Sequence, residues 1–100
     1  MKATAYTAGY ESTGKWLGHP AYGVTYTGAL ATEGRTIAVD PAIIPLGSWV
    51  YIEGHGLFHA EDTGGAIKGN RVDIFMDDVN KAISFGVQEV ELCLLNHSVY

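Results

Sequence analysis

The stretch Trp49-Val50-Tyr51-Ile52-Glu53-Gly54-His55-Gly56-Leu57-Phe58-His59-Ala60-Glu61-Asp62 decides the fold class. Its first four residues are β-branched or aromatic, Gly54-His55-Gly56 turns the chain, and the following run supplies a partner strand, so the segment reads as a β-hairpin. The same grammar repeats outward. Upstream, Arg35-Thr36-Ile37-Ala38-Val39-Asp40 is a mostly buried strand, stopped by Pro41 and then by Pro45-Leu46-Gly47. Downstream, the glycine-rich loop Thr63 to Asn70 leads into Arg71-Val72-Asp73-Ile74-Phe75, a strand with Val72 and Ile74 on one face and Asp73 on the other.

Further strands are expected at Lys2 to Tyr10, at Val24-Thr25-Tyr26-Thr27 and at Val87 to Leu95, with a surface loop over Glu11 to Ala21. One helix is expected, Asp78 to Phe85. Asp77 or Asp78 caps it, Val79, Ala82, Ile83 and Phe85 form its apolar face, and Gly86 stands at C′. About seven short strands and one helix predict an all-β protein and a small closed barrel, because a βαβ sheet needs helices between its strands.

At 100 residues the chain has the length of one domain, and 47% hydrophobic with 17% charged residues is the balance of a globular core rather than of disorder. The net charge of −5 disfavours a nucleic-acid backbone and an anionic membrane surface, both of which need clustered Lys and Arg, and suits a neutral or zwitterionic ligand such as a polysaccharide. Cys93 lies in the apolar run Val90 to Leu95 and is expected as a small buried hydrophobe; as the sole cysteine it makes no internal disulfide. No run reaches the ~18 apolar residues of a spanning helix, and Met1 to Tyr6 lacks the apolar core of a secretory signal. A domain excised from a longer precursor, or export by another route, is expected.

Three carboxylates stand apart from a solvated surface set. Asp40 ends an apolar strand before a proline, Asp62 ends another before the glycine-rich loop, and Asp73 lies inside a strand. Brought together at a barrel mouth, they could not all ionise, so at least one would keep its proton near neutral pH, as a glycosidic leaving group requires. Turn-capping roles at Asp40 and Asp62 are the structural alternative.

Ile37-Ala38-Val39-Asp40-Pro41, Ile44-Pro45-Leu46-Gly47, Glu61-Asp62-Thr63-Gly64-Gly65-Ala66-Ile67-Lys68-Gly69-Asn70 and Val72-Asp73-Ile74-Phe75 together resemble the 3D (Asp-Asp-Asp) domain, a relative of the catalytic barrel of MltA-type lytic transglycosylases. Thr4-Ala5-Tyr6 and Thr25-Tyr26-Thr27-Gly28 fit the same pattern, so the resemblance spans nearly the whole chain, 1–100, as one domain. It implies a six- to seven-stranded double-psi β-barrel that cuts the β-1,4 bond between N-acetylmuramic acid and N-acetylglucosamine in peptidoglycan, leaving a 1,6-anhydro sugar. It also implies Asp73 as acid and base, Asp62 as its partner and Asp40 as an orienting or sugar-binding group. Tyr6, Thr25, Thr27, Gly64, Gly65 and Lys68 become substrate-binding candidates. A monomer acting on peptidoglycan strands at the cell wall, with no cofactor and no metal, completes the expectation.

Asp62-Thr63-Gly64 also resembles the motif of aspartic proteases, but the loop continues Gly65-Ala66-Ile67-Lys68-Gly69 rather than with Ala or Ser. His19, His55, His59 and His97 form no His-Glu-x-x-His pair, and His59, two residues from Glu61, reads as a hydrogen-bonded or surface histidine. A non-catalytic glycan-binding barrel is the remaining alternative, with Trp16 as the exposed stacking ring and Trp49 in the core.

Overall fold

The computed structural model describes residues 1–9, 23–64 and 66–95. Seven strands and one helix follow in order: β1 Lys2–Tyr6, β2 Thr36–Val39, β3 Trp49–Ile52, β4 Gly56–Asp62, β5 Arg71–Phe75, α1 Val79–Phe85, β6 Gln88–Glu89 and β7 Leu92–Leu95. They form one sheet of order β6-β1-β5-β2-β4-β3-β7. At its centre β2 and β5 run antiparallel, and each has a parallel neighbour, β4 beside β2 and β1 beside β5.

The hydrogen-bond ladder does not close into a barrel, since β6 and β7 are its two edges. The sheet is nevertheless curled. Six strand spacings of ~4.8 Å would hold flat edges about 29 Å apart, whereas the three residues from Glu89 to Leu92 reach about 11 Å. The last segment changes partner between Val90, whose N–H donates to Met1 O, and Glu91, whose carbonyl accepts from Glu53 N–H. The expected single strand over Val87 to Leu95 is therefore two.

One face of the sheet is the core. Ile37 and Val39 of β2, Val50 and Ile52 of β3, Phe58 and Ala60 of β4, Val72 and Ile74 of β5 and Ala3 of β1 are all buried there. Each large aliphatic side chain so buried contributes about 1.5–3 kcal/mol. The other face carries the alternate residues, Thr4 and Tyr6, Thr36 and Ala38, Arg71 and Asp73, which places the polar chemistry outside the core.

Four local expectations need correction. Residues 24–27 make no strand but a turn closed by a single bridge between Val24 and Leu30. Helix α1 is capped by Asp78, which accepts from Asn80 N–H, and ends at Gly86 with φ of 64°, yet it buries no residue and leaves Ile83 71% exposed. Cys93 is exposed, because β7 is an edge strand and its outward residues are uncovered. Trp49 is half-buried on the outer face, its ring 4.3 Å from that of His59.

Candidate functional site

The site begins with a bulge. Thr36 pairs with His59 and Ile37 with Ala60, but Ala38 pairs with Asp62, so Glu61 is an extra residue in β4. Strict alternation would send Asp62 into the core; the bulge returns it to the outer face, a known use of bulges beside functional sites. On the other side of β2, Ala38 pairs with Asp73. Two carboxylates thus flank one methyl group, and Thr4 completes the row beyond Asp73.

The two carboxylates are held differently. Asp62 accepts three hydrogen bonds: Tyr26 N–H and Thr63 N–H donate to Oδ1, each at 2.9 Å, and Tyr6 Oη–H donates to Oδ2 at 3.0 Å. Asp73 accepts one, from Thr4 Oγ1 to Oδ1 at 2.9 Å. Burial pushes the Asp73 carboxyl above its usual range and the Asp62 charge adds to this, while the Thr4 hydrogen bond and Arg71 oppose it. The Tyr6 phenol is driven far upward by burial and then by Asp62, so it stays a donor. Its ring packs edge-on against Phe75 with centroids 5.5 Å apart.

Asp40 is placed otherwise. Its Oδ1 accepts from Ala42 N–H at 3.0 Å, an Asx-type turn over Pro41, and its Oδ2 accepts from Gly69 N–H at 2.9 Å. These amides, with Lys68 nearby, hold its carboxyl below the usual range. Asp40 pins the loop after Asp62 to the loop after β2. The structure brings Asp62 and Asp73 to one row and gives Asp40 this neighbouring task.

The other candidates are distributed around that row. Thr25 is buried and Thr27 exposed, with their hydroxyls 3.1 Å apart, and Thr27 N–H donates to Glu61 O. Gly64 has no positive φ; a Cβ there would lie 3.2 Å from Ile67 Cγ1. Gly69, not Gly64, takes the left-handed conformation of that loop, with φ of 70°. Lys68 is exposed beside Asp40. Gly65, Trp16, His19 and His97 lie outside the described residues.

The sequence sets His59 two residues from Glu61 on one strand, but the cluster they build with Arg35 and Thr36 was missed. Glu61, 4% exposed, accepts from Thr36 Oγ1 at 2.7 Å and pairs with Arg35 Nε at 2.9 Å and His59 Nδ1 at 2.7 Å. Burial alone would raise its carboxyl, but the hydrogen bonds from His59, Thr36 and Arg35 hold it below the usual range. Thr4 and Arg71 were also missed as partners of Asp73; their i, i+2 relation to Tyr6 and Asp73 on adjacent strands was the available signal. Among the described residues no three His, Cys, Asp or Glu side chains gather as a metal site, and no helix is long and apolar enough to cross a membrane.

Residues 35–96 match the model of a family described as the 3D domain. The cell wall-binding protein YocH of Bacillus subtilis (strain 168) is 45% identical over 99 residues; the match covers 96% of this chain but 32% of that protein. The chain thus spans about a third of the length of that relative. Among solved structures, the lytic transglycosylase LtgG of Burkholderia pseudomallei aligns over 71% of this chain and 25% of its own, with a TM-score of 0.60 and 34% identity. MltA from Escherichia coli aligns over 76% of this chain and 28% of its own, with a TM-score of 0.64 and 20% identity, a likeness of fold.

Proposed function

This chain belongs to the 3D-domain family, and on that premise we propose that it cleaves peptidoglycan glycan strands as a lytic transglycosylase, with Asp73 as the single acid and base. The observation that carries the reading is the Asp62–Ala38–Asp73 row, in which burial raises the Asp73 carboxyl beside a second carboxylate. Such a carboxyl keeps a proton for a leaving oxygen. The likeness to LtgG and the wall-related name of YocH agree with a glycan of the cell wall as ligand. A double-psi arrangement of the strands, action as a monomer and a location at the wall belong to the same proposal.

In the proposed reaction Asp73 gives its proton to the glycosidic oxygen between N-acetylmuramic acid and N-acetylglucosamine. The bond from that oxygen to the muramyl C1 breaks, and its electron pair stays on the oxygen. The C6 hydroxyl of the same muramyl residue then bonds to C1 and returns its proton to Asp73. No water is consumed, and one product ends in a 1,6-anhydro ring. Asp62, fixed by Tyr6, Tyr26 and Thr63, offers negative charge to the positive anomeric carbon. The loop that Asp40 holds, with Gly64 and Lys68, would line the sugar path together with Thr25 and Thr27.

Glycan binding without cleavage is the second reading, and one observation favours it. Tyr26 is 72% exposed, on the loop whose N–H holds Asp62. An open ring so close to the carboxylates suits stacking on a sugar face. It takes the place of Trp16, which lies outside the described residues. Digestion of purified sacculi with mass spectrometry separates the two readings. Cleavage predicts soluble anhydro-muropeptides that Asp73→Asn abolishes. Binding alone predicts none, with retention on sacculi lost in Tyr26→Ala and kept in Asp73→Asn.

A further inference from the structure

Arg71 and Thr4 form a one-way chain to Asp73. Arg71 Nη1 donates to Ala66 O and Nη2 donates to Thr4 Oγ1, each at 3.2 Å, and Thr4 Oγ1 lies 2.9 Å from Asp73 Oδ1. A guanidinium has only donors, so the Thr4 oxygen must accept from it, and the single Thr4 proton is then directed to Asp73. Arg71 cannot swing away without releasing both Ala66 and Thr4, and these two hydrogen bonds hold its head in place. Oδ1 of Asp73 is therefore always an acceptor. Among the described residues nothing donates to Oδ2.

We propose that Arg71 and Thr4 are positioning residues that fix the acidic hydrogen of Asp73 on Oδ2, the oxygen that has no donor among the described residues, and so reserve that oxygen for substrate. The inference rests on the proposed role of Asp73 and specifies which of its oxygens acts. The Asp73 proton on Oδ2 goes to the glycosidic oxygen, and the C6 hydroxyl proton comes back to Oδ2, while Oδ1 keeps the Thr4 hydrogen bond throughout. The charged and titratable groups facing Asp73 are Arg71 on its own strand, Asp62 across Ala38 on β4 and Tyr6 on β1. Neither Asp62 nor Tyr6 can replace the Thr4 donor, since the phenol of Tyr6 is directed to Asp62.

The test is a carbon-13 NMR titration of the Asp73 carboxyl in the intact chain, in wild type, Thr4→Val and Thr4→Ser. Thr4→Val keeps the shape and removes the donor, so the Asp73 midpoint is expected to move to higher pH, and the alkaline limb of any lytic activity with it. Thr4→Ser is expected to restore the wild-type midpoint. An unmoved midpoint in Thr4→Val, or an equal displacement in Thr4→Ser, overturns the inference. Should Thr4→Val not fold, the wild-type Thr4 hydroxyl proton decides: slow exchange with water supports the chain, and rapid exchange overturns it. A midpoint that responds as expected in a chain releasing no anhydro products upholds this inference while the proposed activity fails.

Discussion

Asp62 and Asp73 stand on opposite flanks of Ala38, one on the parallel neighbour of β2 and one on its antiparallel neighbour. Two strand spacings of ~4.8 Å separate their backbones, and only a methyl group stands between their side chains. A larger residue at 38 would screen one carboxylate from the other. Ala38→Val is expected to keep the fold at a cost of about 1–3 kcal/mol from overpacking. Lytic activity should fall about 100-fold, because the reacting groups are displaced. Thermal melts and sacculus digestion of the same preparation check both.

Asp73→Asn should stabilise the protein at neutral pH. A carboxyl raised in the folded state favours folding fully below its unfolded value, and that contribution is lost as pH rises through the folded value. The neutral amide escapes this loss. The variant is therefore expected to melt above wild type at pH 7, with the gap closing below the ordinary carboxyl range. Melting curves across that range measure it, and an Asn variant less stable at pH 7 would speak against a burdened acid.

Glu61→Gln should have the opposite sign. Its carboxyl is lowered by partners made only on folding, so its contribution is present above the unfolded value and lost as pH falls through the folded one. Removing the charge weakens the bonds to Thr36, His59 and Arg35, whose side chain is 40% exposed and stays solvated, with an expected loss of about 1–2 kcal/mol at pH 7. The difference from wild type should shrink on acidification in urea titrations.

Asp40→Ala should loosen a loop rather than remove a proton donor. Without Oδ2 the Gly69 N–H has lost its acceptor. Hydrogen exchange at Gly69 and Ala42 is expected to accelerate, and the melting temperature to fall. Residual anhydro release should exceed that of Asp73→Asn, a comparison that ranks the two aspartates directly.

Much of the fold was legible because turn chemistry frames the strands. Trp49–Ile52 and Arg71–Phe75 fall where alternation and glycine placed them. The helix boundaries followed from Asp78 and Gly86, but not its exposure, which depends on what packs against Val79 and Ile83. Cys93 was misread because an apolar run does not reveal whether its strand is central or an edge. The break at Val90-Glu91 was invisible for a related reason: an apolar run does not reveal where its hydrogen-bond partner changes.

At the site, Asp62 and Asp73 could be singled out by position, but their relation through Ala38 depends on a bulge that no local propensity encodes. Alternation does put Glu61 on the face of His59 and Thr36, but nothing local says that Arg35 closes over it and buries it there. Asp40 shared with Asp62 the signature of a strand-ending aspartate, and only its place outside the Ala38 row, bonded to Ala42 and Gly69, distinguishes it.

Digestion of purified sacculi in oxygen-18 water, with mass spectrometry of the new muramyl ends, tests the central claim most directly. Intramolecular attack by the C6 hydroxyl predicts anhydro ends that carry no label and that disappear in Asp73→Asn. Labelled reducing ends, or wild-type yields of anhydro product from Asp73→Asn, would contradict it.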